Sequence, residues 1–560
     1  MATNWRDGAG TLFDLRKHSA SASKGMVVAN HPLGAVAGAE MLAMGGNAVD
    51  AAVATLFTQG VVEPMMVSMF GGGWMNLRLG DGPHVIVDDY PIAPAAARPD
   101  LYRPVSDTWP DYMQTEGREN MVGPLAVAVP GCLKGWCEVL EKFGNLSLSD
   151  VIQPAIRHAA NGFPISPYLA ECISEAAADI RRFPETARVL LPGGDLPEAG
   201  NRLVQDDLAE TLRTIASEGP DALYRGAIGA QIVDAIQQGG GILTQADLEG
   251  YRTVWREPLR GEYRGYEIVG PPPPTAGGVH VIEMLNILEG YDVAGIGFGT
   301  ADHVHLLAEV FKIAFADRNA SMGDPAFVDV PVDTLISKAY AEQRRAEIDM
   351  TRAGAPGAGM PSVESAHTTH VTAADAEGNV VAMTQSLNNT FGSKVIAPGT
   401  GVLLNNYMAI FDPHPGTANS VVPGKRSTSS NAPTIVQKDG APVLALGLPG
   451  GVRIFTSVLQ ALVNAIDFGM TPQEMVEAPR VWTQGQELQM EWGFPEAICE
   501  AVAARGHDVS SVRNVAGGMN AVAFESDGML TGAACWRADG TPVGVSGGYA
   551  DRGVRFRPEA

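Results

Sequence analysis

Positive charge is scarce in this sequence. Its 560 residues include 39 lysines and arginines against 63 aspartates and glutamates, which gives a formal net charge of −24. Such an acidic surface repels phosphate backbones and anionic lipids, which argues against a nucleic acid or a membrane as the partner. An anionic substrate would need a local group of cations to bind this chain.

Cysteines are few, and long apolar runs are missing. No apolar stretch approaches the ~18–20 residues of a membrane-spanning helix. The first residues, MATNWRDGAGTLFDLRKHSASASKG, lack the basic start and apolar core of a secretory signal. We therefore expect a cytoplasmic protein. The cysteines are sparse and odd in number, which does not indicate a disulfide framework: Cys132, Cys137, Cys172, Cys499 and Cys535.

What is present is an alternation of helical and strand-like segments. The length favours two lobes or one large intertwined domain. Asn47 is positioned to cap a helix that begins at residue 48. The glycine cluster at 71–73 lacks the G-x-x-x-x-G-K-[ST] pattern of a phosphate loop, so close backbone packing near an active site is the better interpretation.

A change of pattern marks the region around residue 367. Residues 350–367 are rich in Gly, Ala, Pro and Ser, which predicts a flexible linker. Strand-like runs at 368–375 and 379–387 then flank a turn, which predicts a hairpin. Further strands are expected at 401–406, 432–437 and 442–451. A flexible segment that leads directly into a core hairpin makes sense if the chain is cut there.

Thr368 lies at that junction, in the sequence AHTTH. A threonine hydroxyl is a weak nucleophile and needs an adjacent base. If Thr368 became the first residue of a chain, its own α-amino group, with an ordinary pKa near ~8, could take the hydroxyl proton. Since many loops meet strands at a threonine, the junction alone is weak evidence.

The neighbouring motifs closely resemble the γ-glutamyltranspeptidase family. The small-subunit motifs occur in order as TTHVTAADAEGNVVAMTQSLNNTFGS, GTGVLLNN, PGKRSTSSNAPTIV and LGLPGG. Large-subunit segments such as LTQADLEGYRTVWREPLRGEYRGYEI and PPPPTAGGVH also match, so the resemblance covers roughly residues 20–550. It implies an α+β protein with the four-layer αββα sandwich of N-terminal-nucleophile hydrolases.

The resemblance implies autoproteolysis between His367 and Thr368, giving a large subunit, 1–367, and a small subunit, 368–560. The pair could associate further. Thr368 would attack a small-molecule amide and form an acyl-enzyme, without a metal or cofactor. The other matching residues are Thr384 and Ser386 beside the nucleophile, Gly450 and Gly451 as the oxyanion hole, Asn388 as a substrate contact, and Ser429 and Ser430 as carboxylate ligands.

Three positions depart from the family pattern. Tyr90 replaces the arginine that binds the glutamyl α-carboxylate, Tyr407 replaces a glutamine, and Ile410 replaces the aspartate that pairs with the α-ammonium. A buried zwitterion needs a partner for each charge. Each lost contact is worth ~1.5–3 kcal/mol, so γ-glutamyl affinity should fall by roughly 10²–10⁴. Tyr90 and Tyr407 are equally compatible with pocket roles and with plain core positions.

These departures favour a small amide whose acyl part lacks the amino-acid head, as in cephalosporin (glutaryl) acylases and oxamate amidohydrolases. Ser429 and Ser430 could still bind a lone carboxylate, and Lys425, Arg426 or Arg453 could replace the missing arginine. Water or an amine could release the acyl group. The sequence is also compatible with two alternatives: a γ-glutamyltransferase or glutathione hydrolase with other head-group contacts, and an inactive relative that serves as a binding or assembly protein.

Overall fold

Two antiparallel, seven-stranded sheets form the centre of the protein. The computed structural model describes residues 4–355 and 367–547. In chain order the strands are β1 (Ala20–Ala22), β2 (Gly25–Ala29), β3 (Gly72–Arg78), β4 (His84–Asp88), β5 (Phe163–Pro164), β6 (Arg202–Leu203), β7 (Val254–Arg256), β8 (Leu259–Tyr263), β9 (Tyr266–Gly270), β10 (Thr369–Asp375), β11 (Val380–Ser386), β12 (Thr434–Lys438), β13 (Ala441–Gly447), β14 (Val481–Trp482), β15 (Leu488–Glu491), β16 (Val509–Val512), β17 (Asn520–Phe524), β18 (Leu530–Ala534) and β19 (Thr541–Val545).

The strand order is β1-β18-β17-β13-β12-β9-β8 in the first sheet and β19-β2-β10-β11-β3-β4-β7 in the second. Strands β14 to β16 and the pair β5 and β6 form two small separate sheets. The first and second sheets pack face to face, with β10 and β11 of the second against β13 and β17 of the first.

Helices cover the outer faces of both sheets. Helices α1 and α2 pack on β2 and β10 of the second sheet, while α12 and α18 pack on strands of the first. This arrangement confirms the predicted α+β class. The helices are α1 (Pro32–Ala43), α2 (Ala48–Val62), α3 (Cys132–Phe143), α4 (Leu148–Val151), α5 (Gln153–Asn161), α6 (Pro167–Ile180), α7 (Pro184–Leu190), α8 (Asp206–Glu218), α9 (Asp221–Tyr224), α10 (Ala227–Gln238), α11 (Gln245–Gly250), α12 (Gly277–Leu288), α13 (Val293–Ile296), α14 (Ala301–Ser321), α15 (Val332–Leu335), α16 (Lys338–Arg345), α17 (Ile454–Ile466), α18 (Pro472–Glu477) and α19 (Glu496–Ala503).

Local sequence signals account for several of these elements. Asn47 caps α2 through a reciprocal capping box with Asp50, as its position before the helix predicted. The predicted hairpin is the antiparallel pair β10 and β11, which places His370 opposite Thr384. Within the described ranges, no helix combines the length and the apolar character needed to cross a bilayer.

The strand predicted at 401–406 is wrong. In this segment Leu403 makes only an isolated bridge with Ile396. The side chain of Asn405 donates to the backbone carbonyls of Phe70 and Ala128, at 2.7 and 3.0 Å, and accepts from the Ala128 N–H at 3.0 Å. The Asn405 side chain thus forms hydrogen bonds with backbone groups of distant segments. Such side-chain hydrogen bonds compete with the backbone pairing of a strand, and this segment forms no strand.

The chain on either side of residue 367 is intertwined in the second sheet. Strands β10 and β11 lie between β2 and β3, so segments from before and after the predicted cleavage site alternate. Of the two arrangements compatible with the length, the structure has the intertwined domain. The predicted linker at 350–367 falls largely on residues 356–366, which lie outside the described residues.

Candidate active site

Thr368 is buried immediately before β10, with 4% of its surface exposed. Its Oγ1 donates to Ser386 Oγ at 3.4 Å. Ser386 Oγ in turn donates to the backbone carbonyl of His367 at 2.8 Å and accepts the N–H of Asn388, also at 2.8 Å. One hydroxyl therefore contacts both the predicted attacking oxygen and the carbonyl oxygen of the predicted scissile peptide.

Thr384 lies two residues before Ser386 on β11, and its hydroxyl contacts His370 rather than Thr368 in the described hydrogen bonds. Thr384 Oγ1 is 2.8 Å from His370 Nδ1, and Thr372 Oγ1 is 3.0 Å from His370 Nε2. Burial lowers the pKa of His370 to about 3, so the ring is neutral near pH 7. With both ring nitrogens bonded to hydroxyls, His370 supports β10, the strand that follows Thr368.

The glycine cluster allows β3 to approach β11 closely. A Cβ at Gly71 would lie 2.0 Å from the carbonyl oxygen of Ser386, and a Cβ at Gly73 would lie 2.0 Å from that of Thr384. No larger residue fits at either position without moving the backbone that carries these hydroxyls. The structure confirms the interpretation of this cluster as close backbone packing beside the site.

The predicted oxyanion-hole glycines lie in the loop between β13 and α17. At the end of β13 a Cβ on Gly447 would lie 2.2 Å from the imidazole of His370, which places the start of this loop against β10. Gly450 and Gly451 have φ of 153° and 56°, conformations that favour glycine. They lead into a 3-10 turn at Gly451–Arg453 and then α17, whose first N–H groups favour negative charge.

The three divergent positions lie together in one apolar cluster. Tyr90, Tyr407 and Ile410 are 2%, 2% and 6% exposed and share the cluster with Trp74 and Met408. The Tyr90 and Tyr407 rings pack edge to face with centroids 4.8 Å apart, and Tyr407 Oη donates to the Gly72 carbonyl at 2.7 Å. Where the resemblance predicts an arginine and an aspartate, this chain has a buried apolar cluster.

The cations considered as replacements for the missing arginine all have structural partners. Arg426 Nε donates to Asp88 Oδ1 at 3.1 Å, and Lys425 Nζ donates to the carbonyl of Ala418 at 2.6 Å. Arg453 donates to the side chain of Gln489 and lies over the ring of Trp482. Each partner holds its cation in place within the fold.

Ser429 and Ser430 are fully buried and bonded locally. Ser429 Oγ accepts the N–H of Asn431 at 3.1 Å, and Ser430 Oγ accepts from Arg318 Nη2 at 3.2 Å. Arg318 belongs to α14 and is 4% exposed. Sequence reasoning did not single out this arginine, because only the packing of α14 brings it to the serine pair.

Glu63 is a second residue that sequence reasoning missed. It follows α2 directly, and its Oε2 accepts from Thr369 Oγ1 at 2.9 Å and from Gln59 Nε2 at 2.7 Å. Burial raises the pKa of Glu63 to about 8. The signal in the sequence was an acidic residue at the end of an otherwise apolar helical pattern. Glu63 lies between β10 and the end of α2.

A pocket of about 280 Å³ opens beside the predicted scissile peptide. It contains two cations, Arg118 and Lys394, neither of which the motifs indicated. Asn389 and Thr390, which follow the predicted substrate contact Asn388, also line it. The full lining is Arg118, Met121, Val122, His367, Asn389, Thr390 and Lys394.

One cluster of metal-ligating side chains lies elsewhere in the described part of the chain, at His305, Glu309 and His507. His305 Nδ1 and His507 Nε2 are hydrogen-bonded to each other at 2.8 Å, and Lys312 Nζ donates to Glu309 Oε1 at 2.8 Å. Glu309 also accepts the N–H of Gly354, so the cluster anchors the first residues of the predicted linker at 350–367. These partners account for the cluster without an ion.

Comparisons with known proteins identify the family of this chain. The profile of the family described as Gamma-glutamyltranspeptidase matches residues 34–545. An acylase ACY 1 proenzyme from Pseudomonas sp. strain SE83 is 57% identical, covering 97% of this chain and 98% of its own. The glutathione hydrolase proenzyme of Escherichia coli K12 is 38% identical, covering 92% and 91%.

Among solved structures, a cephalosporin acylase from Bacillus halodurans superposes with a TM-score of 0.86 at 31% identity, covering 96% of this chain and 98% of its own. The family profile and both acylases match almost the whole length of this chain. The region matched by the profile includes Thr368 and Ser386. The chain therefore belongs to the γ-glutamyltranspeptidase family and is a self-processing amidohydrolase, an enzyme that hydrolyses C–N amide bonds.

Proposed function

We propose that the chain cleaves itself between His367 and Thr368, and that Thr368 then hydrolyses amides through a threonyl acyl-enzyme. The observation that carries this proposal is the position of Ser386 Oγ, which contacts both Thr368 Oγ1 and the carbonyl oxygen of His367. The products would be a large subunit, 1–367, and a small subunit, 368–560. The two packed sheets with helices on both outer faces support the four-layer αββα architecture of N-terminal-nucleophile hydrolases.

In self-cleavage, Thr368 Oγ1 attacks the carbonyl carbon of His367, and the acyl group moves from the Thr368 nitrogen to its oxygen. Water then hydrolyses the ester, which leaves a carboxylate on His367 and a free α-amino group on Thr368. Ser386 is placed to stabilise the carbonyl oxygen as negative charge develops on it.

In amide hydrolysis, the new α-amino group takes the proton of Thr368 Oγ1 as the oxygen attacks the substrate carbonyl. The N–H groups of Gly450 and Gly451 would stabilise the oxyanion, since they lie at the start of a helix next to the nucleophile strand. The amine leaves with a proton, and water releases the acyl group from Thr368.

The substrate we propose is a small amide whose acyl part lacks the amino-acid head. The apolar cluster of Tyr90, Tyr407 and Ile410 supports this choice, because it offers no charged partner to a zwitterion. The acylase ACY 1 proenzyme of Pseudomonas sp. strain SE83 is more similar to this chain, at 57% identity, than the E. coli glutathione hydrolase proenzyme at 38%.

The test compares kcat/KM for glutaryl-p-nitroanilide and γ-glutamyl-p-nitroanilide, two substrates that share the terminal carboxylate and differ only by the α-ammonium group. We expect the glutaryl amide to be preferred by roughly 10²-fold or more, since a buried charge without a partner loses that much affinity. The Thr368→Ala variant should cleave neither. Equal or faster turnover of the γ-glutamyl amide would refute the proposed substrate class and leave the nucleophile in place.

A further inference from the structure

The pocket beside His367 contains an unusual lysine. Lys394 is 7% exposed, and its Nζ donates to the backbone carbonyls of Thr390 and Gly392. In the ranges 4–355 and 367–547, no carboxylate oxygen forms a salt bridge with this ammonium. Burial lowers the pKa of Lys394 to about 8, which leaves it largely protonated at neutral pH. A buried ammonium is stabilised by an anionic partner.

A second cation lies in the same pocket. Arg118 donates two hydrogen bonds to Asp179, at 3.0 and 3.2 Å, and Asp179 also pairs with Arg182. One carboxylate is thus shared between two guanidinium groups, while Lys394 contributes a third positive charge to the surroundings of the pocket. These cations are concentrated around the pocket, although the chain as a whole has a net charge of −24. It would favour an anion inside the pocket.

The pocket lies on the acyl side of the bond that Thr368 attacks. The first amide cleaved by the site is the His367–Thr368 peptide, in which His367 is the acyl part, and His367 itself lines the pocket. Asn389 and Thr390, which also line the pocket, follow Asn388, whose N–H donates to Ser386. A substrate acyl chain attacked by the same oxygen can therefore extend toward Lys394 and Arg118.

We propose that Lys394 and Arg118 bind a terminal carboxylate on the substrate's acyl group, and so select monoamides of dicarboxylic acids. This role rests on the proposed function and makes it more specific. It assigns the carboxylate to this pocket rather than to the buried pair Ser429 and Ser430, whose hydroxyls accept from Asn431 and Arg318.

The experiment uses three substrates of equal acyl length and the processed enzyme. Glutaryl anilide carries a carboxylate on the acyl part, pentanoyl anilide carries none, and the pentanoyl amide of 4-aminobenzoate carries one on the leaving amine. For Lys394→Met we expect the glutaryl to pentanoyl ratio of kcat/KM to fall about 10²-fold, mainly through KM, because a charge-assisted contact is lost. Lys394→Arg should keep most of the ratio. The exposed Lys24→Met is the matched control and should keep all of it.

Arg118→Gln is the second variant, since the Arg118 side chain is 53% exposed and its replacement leaves the core intact. We expect the ratio to fall about tenfold. An equal decrease of kcat/KM for all three substrates in both variants would overturn the assignment of the carboxylate to this pocket. So would a loss that follows the carboxylate of aminobenzoate, which would place the leaving amine in this pocket.

Binding of free acids separates this inference from the proposed function. Calorimetric titration of the wild type should show tighter binding of glutarate than of pentanoate, and Lys394→Met should abolish that preference. If the wild type hydrolysed none of the amides, the proposed function would fail, yet the titration would still decide the carboxylate site. Equal affinity for the two acids in the wild type would overturn it.

Discussion

The hydroxyl of Ser386 donates to the His367 carbonyl at 2.8 Å and accepts from Thr368 at 3.4 Å. Removing one preorganised donor from a reacting carbonyl typically slows a reaction by ~10²–10³. We therefore expect Ser386→Ala to slow self-cleavage by that factor. The measurement is a time course of fragment formation on a denaturing gel, started from freshly synthesised precursor.

Ser386→Thr is the control for this prediction, because it keeps the hydroxyl. It should cleave at a rate within a few-fold of the wild type, because the threonine hydroxyl can donate to the same carbonyl. If Ser386→Ala cleaved as fast as Ser386→Thr, the contact with the scissile carbonyl would have no role in processing.

Individual site residues differed in how far the sequence could predict them. Thr368, Ser386 and Asn388 lie in one stretch of chain with a recognisable motif, and the structure places them in contact. Lys394 and Glu63 were not predicted, because the role of each residue depends on neighbours that only the folded structure brings close. Glu63 accepts a hydrogen bond from Thr369, which is more than 300 residues away in the sequence, and no local pattern predicts such a contact.

At the scale of elements, the turn at Tyr407–Ile410 is fastened to β3 by the hydrogen bond from Tyr407 Oη to the Gly72 carbonyl. Tyr407→Phe leaves that buried carbonyl without this donor, which should lower the free energy of unfolding by ~1–2 kcal/mol. Tyr407→Leu should cost more, because the edge-to-face contact with Tyr90 is also lost. Denaturant titration of the three proteins measures both effects. Equal stability of Tyr407→Phe and the wild type would contradict the structural role of this hydroxyl.

The junction of α2 with β10 should make stability depend on pH. The folded pKa of Glu63 is about 8, against an ordinary value of 4.5. The unfolded chain therefore releases this proton near pH 4.5, while the folded chain keeps it until about pH 8. The stabilising contribution of this group is present below pH 4.5 and is lost as the pH rises toward 8, by up to ~1.4 kcal/mol per pH unit.

Glu63→Gln removes this dependence and keeps an acceptor for Thr369 and Gln59. The melting temperature of the variant minus that of the wild type should be larger at pH 8 than at pH 5. Thermal denaturation at the two pH values measures this difference, with Thr369→Val at the same junction as a comparison that retains the carboxyl. A constant difference in melting temperature between Glu63→Gln and the wild type across this pH range would mean that Glu63 ionises normally in the folded protein.

At the scale of the whole molecule, the alternation of segments in the second sheet predicts that cleavage does not separate the two chains. Strand β10 pairs with β2 on one side and with β11 on the other, and β11 pairs with β3. The cleaved protein should elute as one species in native size-exclusion chromatography and give two bands under denaturing conditions. The segment 368–560 expressed alone should not fold, since its central hairpin lacks both neighbouring strands. A folded, soluble segment 368–560 would show that the hairpin is independent of the large chain.

The sequence predicted the local parts of this architecture and the family, but not the order of the strands. The hairpin of β10 and β11 and the cap at Asn47 depend on adjacent residues, so their patterns were sufficient. The pairing of β10 with β2 joins positions more than 300 residues apart. The strand expected at 401–406 failed for a related reason, since the contacts of Asn405 with Phe70 and Ala128 are not visible in the local pattern.

The central claim is that Thr368 becomes an N-terminal residue and then carries the acyl group. Mass spectrometry of the denatured protein tests it most directly, after brief reaction with glutaryl-p-nitroanilide and an acid quench. We predict fragments 1–367 and 368–560, with a glutaryl group on Thr368 of the second fragment. An intact chain of 560 residues that still turns over the substrate, or an acyl group on any other residue, would contradict the claim.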